Sequence, residues 1–206
     1  KLGIRCAVFN PLKARLVIQM NNRDHRKICV IDGNVGFTGG INLADEYINE
    51  KEKHGHWKDT AVLLRGEAVQ GLTEMFLELW QFTCHETLEL QDFLPTERRT
   101  CSGYVQPYGD SPLDSCNLAE HVYMQILNHA RRYVYITTPY LILDNEMLTA
   151  ICLAAQSGVD VRIITPYVPD KWYVHMVTRS HYKQLLEAGV RIFEYTPGFI
   201  HAKNFV

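Results

Sequence analysis

The 206-residue sequence has no C-x-x-C pair, no long apolar run and no excess of one charge sign. Its six cysteines, Cys6, Cys29, Cys84, Cys101, Cys116 and Cys152, are scattered. Without a paired spacing they exclude a zinc ribbon. Several lie in apolar runs, where a thiol serves as a small hydrophobe. Such usage fits a reducing, cytoplasm-facing environment. No run approaches the ~20 apolar residues that span a bilayer. No signal stretch opens the chain, so any membrane anchor is expected outside it. A net charge of −2 supplies no basic field for a nucleic-acid backbone, and no nucleic-acid partner is expected. His54 and His56 have no cysteine or carboxylate at ligand spacing, so they read as surface histidines rather than a metal pair. Neither metal nor other cofactor is expected. A hydrophobic content of 47% is ordinary for a globular chain, and the length suits one large domain or two small ones.

What the chain does have is a run from Asn21 to Gly33 that reads H-x-K-x4-D, with His25, Lys27 and Asp32 in the fixed places. Ile28 to Ile31 is apolar and β-branched around one cysteine, which predicts a buried strand. Side chains two apart on a strand share a face, so His25 and Lys27 point into one site. An imidazole can attack phosphorus or pass a proton, with an unperturbed pKa of about 6.5. A lysine ammonium can hold phosphate oxygens. A carboxylate such as Asp32 can bond the second ring nitrogen and set the tautomer. A strand-edge histidine beside a surface lysine is the alternative for this triplet alone.

A second copy changes that balance. His201 and Lys203 repeat the H-x-K pair at the start of another apolar run. The stretch Leu2 to Phe9 ahead of the first copy parallels Ala188 to Tyr195 ahead of the second, which predicts an internal duplication.

Paired motifs of this kind resemble the phospholipase D superfamily. Further residues sharpen the likeness: Gly33 to Asn42, Asp45-Glu46-Tyr47, Trp57-Lys58-Asp59-Thr60, Thr138-Pro139-Tyr140 and Gly158 to Ile163. Taken together the string is similar to bacterial cardiolipin synthases. The resemblance implies an α/β fold: a duplicated phospholipase D-like α/β/α sandwich, two pseudo-symmetric halves with the active site at their interface. It divides the chain into a first half with its connection over residues 1–100 and a second half over 101–206. It also implies a missing segment at each end, since the second motif stops before its aspartate, and Leu143 stands where relatives often carry proline. Asp59 becomes, by the same likeness, a candidate supporting partner of the site, though a polar residue at a strand start is the plain alternative.

Along the chain, strands are predicted over 3–9, 14–20, 27–31, 35–38 and 59–66. Gly39 and Gly40 permit close backbone approach, and Asn42 offers an amide to phosphate oxygens or caps a helix. Residues 49–58 read as a solvated loop. A helix over 67–85 carries Val69, Leu72, Met75, Phe76, Leu79 and Trp80 at helical spacing, a core stripe rather than a cofactor contact. Pro95, Gly103, Pro107, Gly109 and Pro112 punctuate a connection over 87–115. Helices then follow over 118–131, 145–157 and 173–188, alternating with strands over 133–138, 159–165, 190–195 and 200–206, which is α/β layering. Sites in such sheets gather beyond strand ends, so Tyr140 and the loop 166–172 are placed near the chemistry. That loop mixes aromatics with Lys171, a composition that suits a membrane surface or, equally, a packed loop.

The resemblance then implies phosphatidyl transfer between two phosphatidylglycerol molecules, releasing glycerol, through a phosphohistidine. His25 is the nucleophile and His201 the acid and base; Lys27 and Lys203 supply the positive charge, and the phospholipid and a membrane surface are the partners. A phospholipase D hydrolase or a phosphatidylserine synthase would use the same residues. A nuclease would want a basic groove, and an inactive membrane-associated module would not need the intact motifs. Oligomeric state is not legible.

Overall fold

A computed structural model describes residues 2–11, 23–100, 102–111 and 115–206. The chain forms two compact units. One contains residues 1–38 and 62–114, the other residues 39–61 and 115–206. Residues 39–61 thus leave the first unit and pack with the C-terminal half.

The first unit is built on a three-stranded sheet, β1 (Ile28–Ile31), β2 (Val35–Gly39) and β3 (Ala61–Arg65), in the order β1-β2-β3. β1 and β2 form an antiparallel hairpin with Ile31 opposite Val35 and Cys29 opposite Phe37. Asp32 and Gly33 take its central turn positions with φ of 51° and 66°, and the Asn34 amide closes the turn on the Ile31 carbonyl at 3.0 Å. An Asp-Gly pair tolerates two left-handed residues, the geometry that matches strand twist. The predicted burial of this strand is corrected: β1 alternates half-buried and exposed, and Ile31 is 48% exposed. α1 (Val69–Cys84) packs against β1, and one covered face gives alternation rather than full burial. α1 buries Val69, Leu72, Thr73 and Leu77, whereas Phe76 of the predicted stripe is exposed. The helix stops at His85, in the left-handed region. Residues 3–9, predicted as a strand, are not one. They are largely exposed and pair with no strand among the described residues, so their backbone has no ladder to join. The predicted strand over 14–20 lies outside the described residues, as do Cys101 and Pro112.

The second unit carries a four-stranded sheet in the order β6-β5-β4-β7. β4 (Tyr133–Thr137), β5 (Asp160–Pro166) and β6 (Arg191–Tyr195) run parallel, and β7 (Asn204–Phe205) joins β4 antiparallel. The parallel strands are linked by α3 (Asn145–Gln156) and by the pair α4 (Trp172–Ser180) and α5 (Tyr182–Glu187), while α2 (Leu118–His129) precedes β4. Val134, Ile136, Val161 and Ile163 meet Leu127, Ile151 and Leu185 in one core. α3 begins on the Asp144 carboxylate, which accepts the Met147 amide at 2.8 Å. The single helix predicted over 173–188 is two. The Ser180 hydroxyl bonds the Val177 carbonyl at 2.7 Å and the His181 amide reaches Thr178, three residues back. Both bonds compete with the regular helical ladder at that point.

Among the described residues no helix is long and apolar enough to cross a membrane, and no three metal-ligating side chains cluster.

Candidate active site

The second H-x-K copy does not sit on a long strand. Residues 200–206, predicted as one strand, pair as β7 only at Asn204–Phe205. Ahead of β7 the chain runs beside residues 56–58. His56 donates its backbone N–H to the Pro197 carbonyl at 3.0 Å, Lys58 to that of Phe199 at 3.0 Å, and His201 to that of Lys58 at 2.7 Å. Most of 49–58 is an exposed loop as expected, but Trp57 departs from that reading: it is buried, 4.9 Å from the Phe199 ring and 5.3 Å from the His201 ring. His56 is exposed and meets the Tyr195 hydroxyl at 2.8 Å, while His54 is half-buried near Phe199.

The same pairing carries Asp59 to His201. Its Oδ2 accepts from Nδ1 of the imidazole at 2.8 Å, between side chains 3% and 7% exposed. The other carboxylate oxygen accepts the Thr60 amide at 2.8 Å. Burial works to raise the Asp59 carboxyl pKa. The bonds from His201 and Thr60, with the charges of His201 and Lys203, outweigh it and hold the group below the usual carboxylate range. An ionised Asp59 keeps the proton on Nδ1, so Nε2 is the ring nitrogen left to exchange protons or to attack.

Around this pair stand several residues singled out from the sequence. Gly40 backs directly onto Asp59: a Cβ there would lie 2.3 Å from its Oδ1. At Gly39 a Cβ would lie 2.5 Å from the Thr60 carbonyl oxygen. Asn42 caps no helix; its amide donates to the Tyr47 hydroxyl, and the Tyr47 ring meets His201 edge-on at 5.8 Å. Tyr140 lies 6.2 Å from Phe199, whose ring is 6.0 Å from His201, and its hydroxyl donates to Asp170 at 2.6 Å. Burial, then the Asp170 carboxylate, pushes the phenol well above its usual pKa. Lys203 donates from Nζ to the His201 carbonyl at 2.5 Å. The Trp57 indole N–H is buried with no hydrogen-bond partner among the described residues.

The first copy repeats one detail in its own unit. Lys27 Nζ donates to the His25 carbonyl at 2.6 Å, the same bond two residues back. His25 is exposed, and Arg26 clamps Asp24 through its backbone N–H and guanidinium. Asp32 stands exposed at the hairpin tip, beyond the whole of β1 from His25.

Residues 123–206 match the family model described as cardiolipin synthase, PLD-like domain. A cardiolipin synthase of Geobacillus kaustophilus is 40% identical over 99% of this chain and 41% of that protein. The chain is thus similar to proteins of the phospholipase D superfamily. A protein of Streptococcus mutans described as uncharacterized is 52% identical over the full chain and 45% of its own length. Cardiolipin synthase 2 of Bacillus cereus is 39% identical over 98% of the chain and 40% of that protein. The chain therefore spans less than half the length of these relatives. The crystal structure of a phosphatidylserine synthase from Haemophilus influenzae superposes with a TM-score of 0.52 at 15% identity, covering 84% of this chain and 49% of that one. That likeness is one of fold.

Of the four motif residues singled out from the sequence, His201 is the one that the structure sets against a buried carboxylate. Trp57 and Tyr47 escaped the sequence reading as site residues. Trp57 sat in a charged stretch with no periodicity, and only the H-x-K partner strand explains its burial.

Proposed function

We propose that the protein is a phosphatidyltransferase of cardiolipin synthase type. In this reading a phosphatidyl group passes from one phosphatidylglycerol to the hydroxyl of another, and glycerol leaves. The observation that carries it is the buried Asp59–His201 pair, 2.8 Å long, set on an H-x-K motif. A carboxylate that fixes one imidazole nitrogen makes the other a competent proton carrier near neutral pH.

The chemistry runs in two steps. His25 attacks phosphorus, a phosphorus–nitrogen bond forms and the bond to the glycerol oxygen breaks, while His201 Nε2 gives that oxygen a proton. His201 then takes the proton of the incoming hydroxyl, whose oxygen displaces His25. Two displacements retain configuration at phosphorus and let an alcohol replace water. Lys27 and Lys203 offset charge gathering on the non-bridging oxygens, and Asn42 with the backbone at Gly39 and Gly40 lines the phosphate. Tyr140 borders the lipid headgroup. The relatives' names and the resemblance of the motifs support this assignment of roles, and the bilayer surface is where the substrate resides.

The test is incubation of the full-length protein with phosphatidylglycerol vesicles. Cardiolipin and free glycerol in equal amounts are expected. Phosphatidic acid alone would replace transfer by hydrolysis. Acid quenching with radiolabelled substrate locates the intermediate, and label on His201 rather than His25 would reverse the two roles.

A further inference from the structure

Helix α4 has its faces reversed. A surface helix ordinarily buries its apolar stripe. Here Trp172, Tyr173, Met176 and Val177 are 71%, 55%, 63% and 42% exposed, and their i, i+4 spacing puts them on one side. The buried side holds Thr178, 1% exposed, whose hydroxyl accepts the Leu141 amide at 3.1 Å. The helix is therefore tied to the segment after β4 by a polar anchor beside the half-buried Val174, while four large apolar side chains face outward. Contiguous exposed apolar surface marks a contact with something less polar than water.

Charge identifies the contact. Lys171 and Lys183 flank the patch, and Arg179 between them is paired with Glu194 at 3.0 Å, in a chain of net charge −2. Aromatic and aliphatic side chains flanked by basic ones are the composition of a helix lying in the headgroup region of an anionic bilayer. Position agrees: Lys171 Nζ lies 5.7 Å from the centre of the Tyr140 ring, and Asp170 accepts the Tyr140 hydroxyl, so the helix begins where the path through Phe199 to His201 ends.

We propose that α4 is a membrane-contact helix, with Trp172, Tyr173, Met176 and Val177 inserted among the lipids of an anionic phospholipid surface and Lys171 and Lys183 at headgroup level. The choice of a phospholipid surface rests on the phosphatidyl-transfer reading and adds to it the face through which the protein meets its substrate.

The experiment uses the protein on vesicles of phosphatidylglycerol mixed with phosphatidylcholine, and on phosphatidylcholine alone. The fluorescence missing from Trp172→Phe defines the Trp172 component. On the anionic vesicles that component is expected to shift to the blue and to be quenched by acyl chains carrying bromine. Lys183→Ala is expected to weaken binding to them about five-fold, with unchanged circular dichroism. Water-like emission that escapes bromine overturns the proposal, as does equal affinity for both vesicle types. Shielding that needs no vesicles and grows with protein concentration gives the face to a second copy of the chain and overturns it too. Transfer on detergent-dispersed phosphatidylglycerol, read in parallel, separates the two readings. Activity with Trp172 in water removes the membrane helix alone; insertion without activity leaves the helix and removes the transferase.

Discussion

Replacing Asp59 by Asn probes the site at its most buried point. The substitution keeps size and shape. One oxygen of Asp59 accepts the Thr60 amide at 2.8 Å and the other accepts His201 Nδ1 at 2.8 Å. With Asn, the oxygen stays on the Thr60 amide and the NH2 group turns to the imidazole. An NH2 cannot accept, so Nδ1 becomes the acceptor and the ring proton moves to Nε2. The neutral ring then has no lone pair on the nitrogen that should collect a proton from the incoming hydroxyl. General acid–base catalysis contributes about 10²–10⁴-fold, and kcat should fall by that order with KM within about three-fold. A hydrogen bond to a charged group contributes about 1.5–3 kcal/mol, which is the expected loss of unfolding free energy.

Cardiolipin formation from phosphatidylglycerol vesicles measures the rate, and urea unfolding measures stability. Nitrogen-15 shifts of the His201 ring report the tautomer, a change that a purely structural role would not produce. The pH dependence has a fixed sign. The unfolded carboxyl titrates near 3.9, and folded Asp59 titrates lower. Its stabilisation is thus complete above about pH 3.9 and is lost as pH falls through the folded value. The stability gap between wild type and Asp59→Asn should therefore close in acid. A folded variant with kcat within about three-fold of wild type and an unchanged tautomer would refute the reasoning.

Gly40→Ala places a Cβ 2.3 Å from Asp59 Oδ1, so the carboxylate must move; we expect a loss of about 1–3 kcal/mol by urea unfolding and a matching fall in cardiolipin formation. Tyr140→Phe leaves the Asp170 carboxylate without its 2.6 Å donor and should cost about 1.5–3 kcal/mol in the same assay. In wild type, absorbance titration should show the Tyr140 phenol still protonated where exposed tyrosines ionise, because burial and Asp170 raise its pKa. Asp144→Ala removes the cap at the start of α3 and should lower stability by about 0.5–2 kcal/mol without altering transfer by the folded enzyme.

The parts of the fold legible in the sequence are those whose signal is local. α2 and α3 declared themselves by apolar spacing and end signals, and β5 by its run of β-branched residues before Pro166. The β1–β2 hairpin was legible as a turn after the motif, and its Asp32-Gly33 pair supplies the two left-handed residues. Elements that depend on a distant partner were not. Residues 3–9 have strand composition, but composition does not provide a neighbouring strand. The break between α4 and α5 turns on a serine hydroxyl bonding its own helix, which no hydrophobic period encodes. Periodicity is also silent on which face of α4 the fold covers.

The same distinction explains the site. Within H-x-K-x4-D the spacing suggests that the motif's own aspartate serves its histidine, since both lie within one short run. The geometry separates these tasks. Asp32 takes a left-handed turn position at the exposed tip of a hairpin, where its backbone tolerance sets the register of β1 on β2. The carboxylate on an imidazole comes instead from Asp59, and it reaches His201 rather than His25 across 142 positions of sequence. The likeness around Trp57-Lys58-Asp59-Thr60 marks Asp59 as a supporting partner but not which histidine it serves, which follows from the three backbone bonds that lay residues 56–58 beside 197–201. One consequence is that the partner segment should control the histidine: shortening the 49–58 stretch by one residue would shift Asp59 by one place along that pairing and turn it to the opposite side. Such a deletion is expected to abolish transfer as completely as loss of His201 itself, with β4, β5 and β6 intact by circular dichroism. Activity surviving that shift would mean that Asp59 is a bystander and that another group sets the ring.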